Sequence, residues 1–170
     1  MKPKSYAYVG PGTILGLLER PAERWRLAGP ADLAAWLNTL DERTKRGAIN
    51  LTFVVDCALV LWIADQHSEH VVCARGDRVL AAGELSVEVK PALRVSAASN
   101  QSTGYCPEPD SWEAVAAALD RAGLPRPDGY TASYLFRRCD RCASINLIKD
   151  AVFECAVCTA PLSAEWNLAA

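Results

Sequence analysis

Residues 79–90 read VLAAGELSVEVK, and from Leu85 to Val89 apolar and polar side chains alternate strictly. A period of two marks a half-buried β-strand, whose successive side chains point to opposite faces. The runs around it are of the same kind. Ile49 to Val55, Leu59 to Ile63, Val71 to Ala74 and Leu93 to Ala97 are rich in Val, Leu and Ile. Turn-like breaks divide them: Asp56-Cys57, Asp65-Gln66-His67, Arg75-Gly76-Asp77 and Lys90-Pro91. Five strands joined by connections this short predict an antiparallel meander, because a parallel pair needs a crossover of about a dozen residues or more.

Helical periods flank this block. Pro30 to Leu40 carries Leu33, Trp36, Leu37 and Leu40 on one stripe, with Pro30 in the first turn and Asp32 at the positive helix end. Asp110 opens a second helix, where Asp110 and Glu113 have capping-box spacing and Trp112, Val115, Ala116 and Leu119 share a face. Gly123 ends it. A short helix over Thr13 to Arg20 and brief strands over Tyr6 to Val9 and Trp25 to Leu27 complete the N-terminal part. The polar run Asp41 to Gly47 reads as a solvated loop, and Leu124 to Gly129 as a linker. The expected fold is therefore α+β, mainly antiparallel sheet with a few short helices, followed by a C-terminal zinc ribbon. Residues 1–123 form the first domain, and residues 130–170 form a ribbon packed against it.

The ribbon expectation rests on Cys139-Asp-Arg-Cys142 and Cys155-Ala-Val-Cys158, two C-x2-C pairs twelve residues apart. Each pair places two thiolates in one tight turn, and together they supply the four soft anionic ligands that tetrahedral zinc accepts. Redox pairs and iron–sulfur clusters use the same ligands, but a closed four-cysteine site between hairpin turns points to structural zinc. Such a site contributes folding energy and has no open position for catalysis. Leu135, Ile145, Leu147 and Phe153 offer a small apolar cluster beside the metal, and Leu162 and Trp166 are expected to fold back over it or the sheet.

Composition bounds the rest. The 170 residues are 51% hydrophobic and 22% charged, enough apolar material for a core and outside the disordered class. Net charge is −2, divided as +3 over residues 1–50, −5 over 51–133 and zero over 134–170. Nothing in that balance steers the chain to nucleic acid. Arg137, Arg138, Arg141 and Lys149 of the ribbon are set against Asp140, Asp150, Glu154 and Glu165, so a protein partner is favoured over a phosphate backbone. Ile14 to Leu18 is too short for a signal-peptide core, and Leu51 to Ala64 is too short to span a bilayer. Seven cysteines without such a leader suit a reducing compartment, and the expectation is a cytoplasmic chain with no membrane partner.

Three other groups carry possible chemistry. His67, His70 and Cys73 have the spacing H-x2-H-x2-C of a second metal site, although on a strand His70 and Cys73 would face opposite sides. Cys106 lies shortly before the Asp110 helix, whose dipole would favour a thiolate. With His70 as base, Glu69 or Glu84 to orient it and Asn100 or Gln101 on an oxyanion, it defines the alternative reading, a small cysteine-dependent hydrolase or transferase. Third, Asn100, Gln101, Ser102, Thr103 and Tyr105 form a polar connection between sheet and helix. It either caps backbone groups or contacts a ligand or partner.

Asn100 to Pro109, Trp112, the four ribbon cysteines, Trp166 and Asn167 also carry a resemblance. Residues 99–168 are similar to the C-terminal portion of uncharacterised bacterial proteins with an NQSTGYCPEP segment, a helix and a four-cysteine ribbon ending in Trp-Asn. The resemblance implies a fold unit and lends no reaction. The sequence thus favours an intracellular zinc-binding adaptor module.

Overall fold

A computed structural model describes residues 4–21, 23–41 and 47–168. Five strands form one wholly antiparallel sheet: β1 (Trp25–Leu27), β2 (Ile49–Asp56), β3 (Leu61–Asp65), β4 (Val79–Glu88) and β5 (Arg94–Ser99). Their spatial order is β1-β3-β2-β4-β5, so the strands do not lie in chain order. Strand β2 takes the centre because Leu51 to Val55 are buried on both faces. A continuous apolar run finds enough cover only in the middle of a sheet.

Each face has its own cover. Leu51, Phe53 and Val55 point towards helices α1 (Pro30–Leu37) and α3 (Trp112–Arg121), where they meet Leu33, Trp36, Val115 and Leu119. Val54, one step out of phase, joins Tyr6, Ala64, Val71, Ala82 and Tyr105 on the other face. Fully burying a side chain the size of Phe53 or Leu33 stabilises by about 1.5–3 kcal/mol. At Gly83 the chains of β4 and β5 approach so closely that a Cβ there would collide with the Ser99 carbonyl oxygen.

Several expected elements take a different form. Val71 to Ala74 is not a strand; His70–Cys73 is a single helical turn, α2. Val71 and Cys73 are both buried by packing on the sheet, which overrides the strand propensity of the valines. The expected strand over Tyr6 to Val9 reduces to one bridge, Tyr6 to Val79, and the expected helix over Thr13 to Arg20 is a 3-10 helix, Gly12–Glu19. The capping box at Asp110 is absent. Residues Pro109–Ser111 form a 3-10 turn, and the Asp110 carboxylate instead accepts a hydrogen bond from Tyr6 Oη at 3.2 Å. The buried face of α3 is Val115, Ala118 and Leu119, with Ala116 at its margin. Gly123 ends that helix with φ +64°, a left-handed conformation glycine adopts without strain. The loop expected over Asp41 to Gly47 falls, for residues 42–46, outside the described residues.

The stretch from Leu124 to Gly129 is tied down along the outer edge of β5. Leu124 is buried, the Pro125 carbonyl accepts Val95 N–H at 2.8 Å, and Thr131 N–H reaches the Ala98 carbonyl at 2.9 Å. The chain then enters a two-stranded hairpin, β6 (Leu135–Arg138) and β7 (Ile145–Ile148). None of the helices among the described residues is long and apolar enough to cross a membrane.

Candidate metal centre

Two knuckles of the same construction end the C-terminal hairpin. At the first, Cys139 N–H donates to the Ser144 carbonyl at 2.9 Å and Ala143 N–H to the Cys139 carbonyl at 2.8 Å. At the second, Cys155 N–H donates to the Ala160 carbonyl at 2.8 Å and Thr159 N–H to the Cys155 carbonyl at 2.9 Å. The residue four places after each leading cysteine turns left-handed, with φ +61° at Ala143 and +60° at Thr159. This repeated turn folds each C-x2-C back on itself and aims both of its sulfurs the same way.

The four sulfurs, of Cys139, Cys142, Cys155 and Cys158, all lie within 4.8 Å of one another. Across the knuckles Cys139 and Cys158 stand 3.5 Å apart, and Cys142 and Cys155 3.6 Å. Disulfide sulfurs would be about 2.05 Å apart. Four thiolates about 2.3 Å from a central ion would be about 3.8 Å apart, and the cage has that size. A metal ion fits.

Asn146 joins the halves. Nearly buried, it accepts Ala156 N–H at 3.0 Å, donates to the Ser144 carbonyl at 3.0 Å and sets its Nδ2 3.6 Å from Cys155 Sγ. The N–H groups of Cys158 and Val157 beside Cys155 Sγ lower the pKa of that thiol, whereas, against the Ala160 N–H, desolvation and the three neighbouring cysteine sulfurs raise that of Cys158. Leu162 closes the apolar side over Cys139 and Cys155, as expected from the sequence.

The segment 99–109 attaches this hairpin to the sheet. Asn100 is wholly buried: its Oδ1 accepts Tyr134 N–H at 2.7 Å, and its Nδ2 donates to the Tyr134 and Pro107 carbonyls, each at 2.8 Å. At the far end of β6, Asn167 repeats the grip on Arg138, with Oδ1 accepting its N–H and Nδ2 donating to its carbonyl, both at 2.8 Å. A side-chain amide that binds both polar groups of one residue acts as a strand partner one residue long. Arg137, 3% exposed, pairs with Glu108 at 2.8 Å and donates to the Ala164 carbonyl. Trp166 Nε1 donates to the Cys106 carbonyl at 2.9 Å, and its ring meets Tyr6 edge-on.

The remaining sequence candidates occupy quite different surroundings. Ser102 and Tyr105 are buried; Ser102 Oγ accepts Tyr105 N–H at 3.3 Å, and Tyr105 Oη donates to the Asp77 carbonyl at 2.8 Å. Gln101 and Thr103 are exposed. Cys106 is buried with φ +47°, and its Sγ donates to the Thr103 carbonyl at 3.3 Å. Burial pushes its thiol up to about 12, the opposite of what a nucleophile needs. His70 Nε2 donates to the Gly83 carbonyl at 2.9 Å, which places the proton on that nitrogen, and burial lowers its pKa. Cys106 packs with Phe136 and Leu168, and His70 sits on α2 against β4, so the two have different neighbours. Glu84 and Glu69 are exposed. His67, by Gln66, does not join His70 and Cys73 in a ligand cluster; among the described residues the ribbon cysteines alone form one.

Arg137 is also unavailable for the phosphate contact considered from the sequence, since its guanidinium is spent inside the protein. Asn146 and the Arg137–Glu108 pair were not expected. Their one local signal is a polar residue inside a strand, Asn146 between Ile145 and Leu147, and Arg137 after Phe136.

Comparison with protein-family models, with curated protein sequences and with solved structures finds no match to this chain.

Proposed function

We propose that this protein is a zinc-dependent binding module that acts as an adaptor in a cytoplasmic protein complex. The observation that carries the reading is the closed cage. Four cysteine sulfurs converge within 4.8 Å on two matching knuckles, a donor set that satisfies zinc fully and leaves it no position for substrate. Cys139, Cys142, Cys155 and Cys158 would hold the ion, and bound zinc supplies folding energy rather than Lewis-acid chemistry at a substrate.

The adaptor part rests on what the ribbon presents outward. Val152 and Val157 are 60% and 71% exposed in the segment that follows β7 and carries the second cysteine pair. Exposed apolar side chains this close together suit a protein contact. The exposed cations Arg141 and Lys149 stand among Asp140, Asp150 and Glu154, so no basic stripe favours nucleic acid. The exposed Gln101 and Thr103 offer a second candidate surface on the loop after β5.

Elemental analysis of the purified chain is expected to give one zinc per molecule, and iron or no metal would defeat the metal assignment. Affinity capture with the wild type, a Val152→Glu/Val157→Glu variant and a Gln101→Ala/Thr103→Ala variant tests the surface. A specific protein lost by either variant at unchanged zinc content supports the adaptor reading; capture indifferent to both variants contradicts it.

A further inference from the structure

One open concavity lies between the 3-10 helix Gly12–Glu19 and α2. It is a cleft of about 490 Å³ with a side lobe of about 230 Å³, and Arg20, Pro21 and Val72 line both. Charge is distributed unevenly: the larger lobe carries two carboxylates beside His67 and Arg20, and the smaller carries arginines alone. Glu23 and Glu69 border the larger, and Arg75 joins Arg20 at the smaller. Leu17 and Leu18 supply apolar walls.

Among the described residues none of these four charged side chains is in an ion pair, whereas Arg94–Glu88 and Arg126–Asp120 are paired. Arg24 adds a third positive charge close by. It lies 3.7 Å over the Trp62 ring and donates to the carbonyl of Cys73, which lines the cleft, and its Nε is buried without a partner. Burial and the neighbouring Arg75 both lower its pKa.

We propose that this cleft binds a small amphipathic zwitterion, of the class of a short apolar peptide. Its carboxylate lies against Arg20 and Arg75, its ammonium group against Glu23 and Glu69, and its side chains on Leu17, Leu18 and Val72. An anion alone would leave the carboxylates at the wide end unmatched, and a cation alone would leave the arginines. A molecule with both ends neutralises each lobe, and the shared Arg20–Val72 wall spans the two.

The test is titration of the full, metal-loaded chain by heteronuclear NMR with Leu-Leu, its C-terminal amide and its N-acetyl derivative. Leu-Leu at millimolar concentration is expected to shift the amides of Ser68, Val72 and Arg75, and each blocked peptide to bind about tenfold more weakly, the loss of one charge-assisted contact. Arg75→Gln should reduce the preference for the free carboxylate, which Arg20 then holds alone, and keep that for the free amine; Glu69→Gln should do the reverse. Both residues are exposed, so the variants retain the fold. Absence of cleft shifts, equal binding of all three peptides, or variants that leave both preferences intact would overturn the proposal. Full binding of the N-acetyl peptide would make this a simple anion site and also overturn it. The titration does not depend on what the ribbon holds, so its failure leaves the zinc reading untouched.

Discussion

Replacing Asn100 with alanine should detach the ribbon from the sheet. The amide makes three hydrogen bonds of 2.7–2.8 Å from a site with no exposure, to Tyr134 N–H, the Tyr134 carbonyl and the Pro107 carbonyl. Alanine strands all three groups, and each stranded buried group costs about 1–3 kcal/mol. The groups share one site and relax together, so the loss is less than their sum, about 3–5 kcal/mol. Urea unfolding followed by tryptophan fluorescence reads this as a fall in midpoint of about 2 M, for a slope near 2 kcal/mol per M. Asn100→Asp keeps the acceptor for Tyr134 N–H but turns a carboxylate towards two carbonyl oxygens, and should be at least as damaging at neutral pH. Amide exchange should quicken at Tyr134 before it does in β2. A loss below about 1 kcal/mol for alanine would refute the reasoning, because it would mean the three groups find partners without Asn100.

Arg137→Gln leaves Glu108 without its cation and the Ala164 carbonyl without its donor, and should cost about 2–4 kcal/mol in the same assay. Gly83→Ala drives a Cβ into the Ser99 carbonyl oxygen and should cost at least about 3 kcal/mol or prevent folding; an alanine variant that melts like the wild type contradicts that close approach. Under native conditions near neutral pH, iodoacetamide should modify the exposed Cys57 and spare the buried Cys106, as read by peptide mass spectrometry; alkylation of Cys106 at the rate of Cys57 would favour the cysteine-enzyme reading. Cys73 and Cys106 are raised by burial from 9.0 to about 12, so the fold holds their neutral forms. Their contribution is complete below pH 9 and is lost as pH rises from 9 towards 12, and stability measured across that window should decline.

The parts of the fold that depend on local period could be read in advance. Alternation over Leu85 to Val89 and the apolar run of β2 gave an antiparallel sheet, and the stripe Leu33, Trp36, Leu37 gave α1. The clustering of the four cysteines was legible because a knuckle is a local turn with fixed spacing. What escaped depends on partners distant in the chain. Val71 and Val72 carry strand propensity, and only packing on the sheet makes them a helical turn. Asp110 sits at capping-box distance from Glu113 yet serves Tyr6, 104 residues away. For the segment 99–105 the sequence leaves backbone capping and ligand contact both open. Asn100, Ser102 and Tyr105 are polar because each satisfies buried backbone groups, and no local pattern separates that use from ligand contact.

Native mass spectrometry of the full chain, expressed without added metal and purified under reducing conditions, tests the central claim most directly. One zinc ion per chain is expected, with Cys139, Cys142, Cys155 and Cys158 protected from alkylation until a chelator removes it. A metal-free chain, an iron–sulfur mass or disulfides among those four cysteines would contradict it.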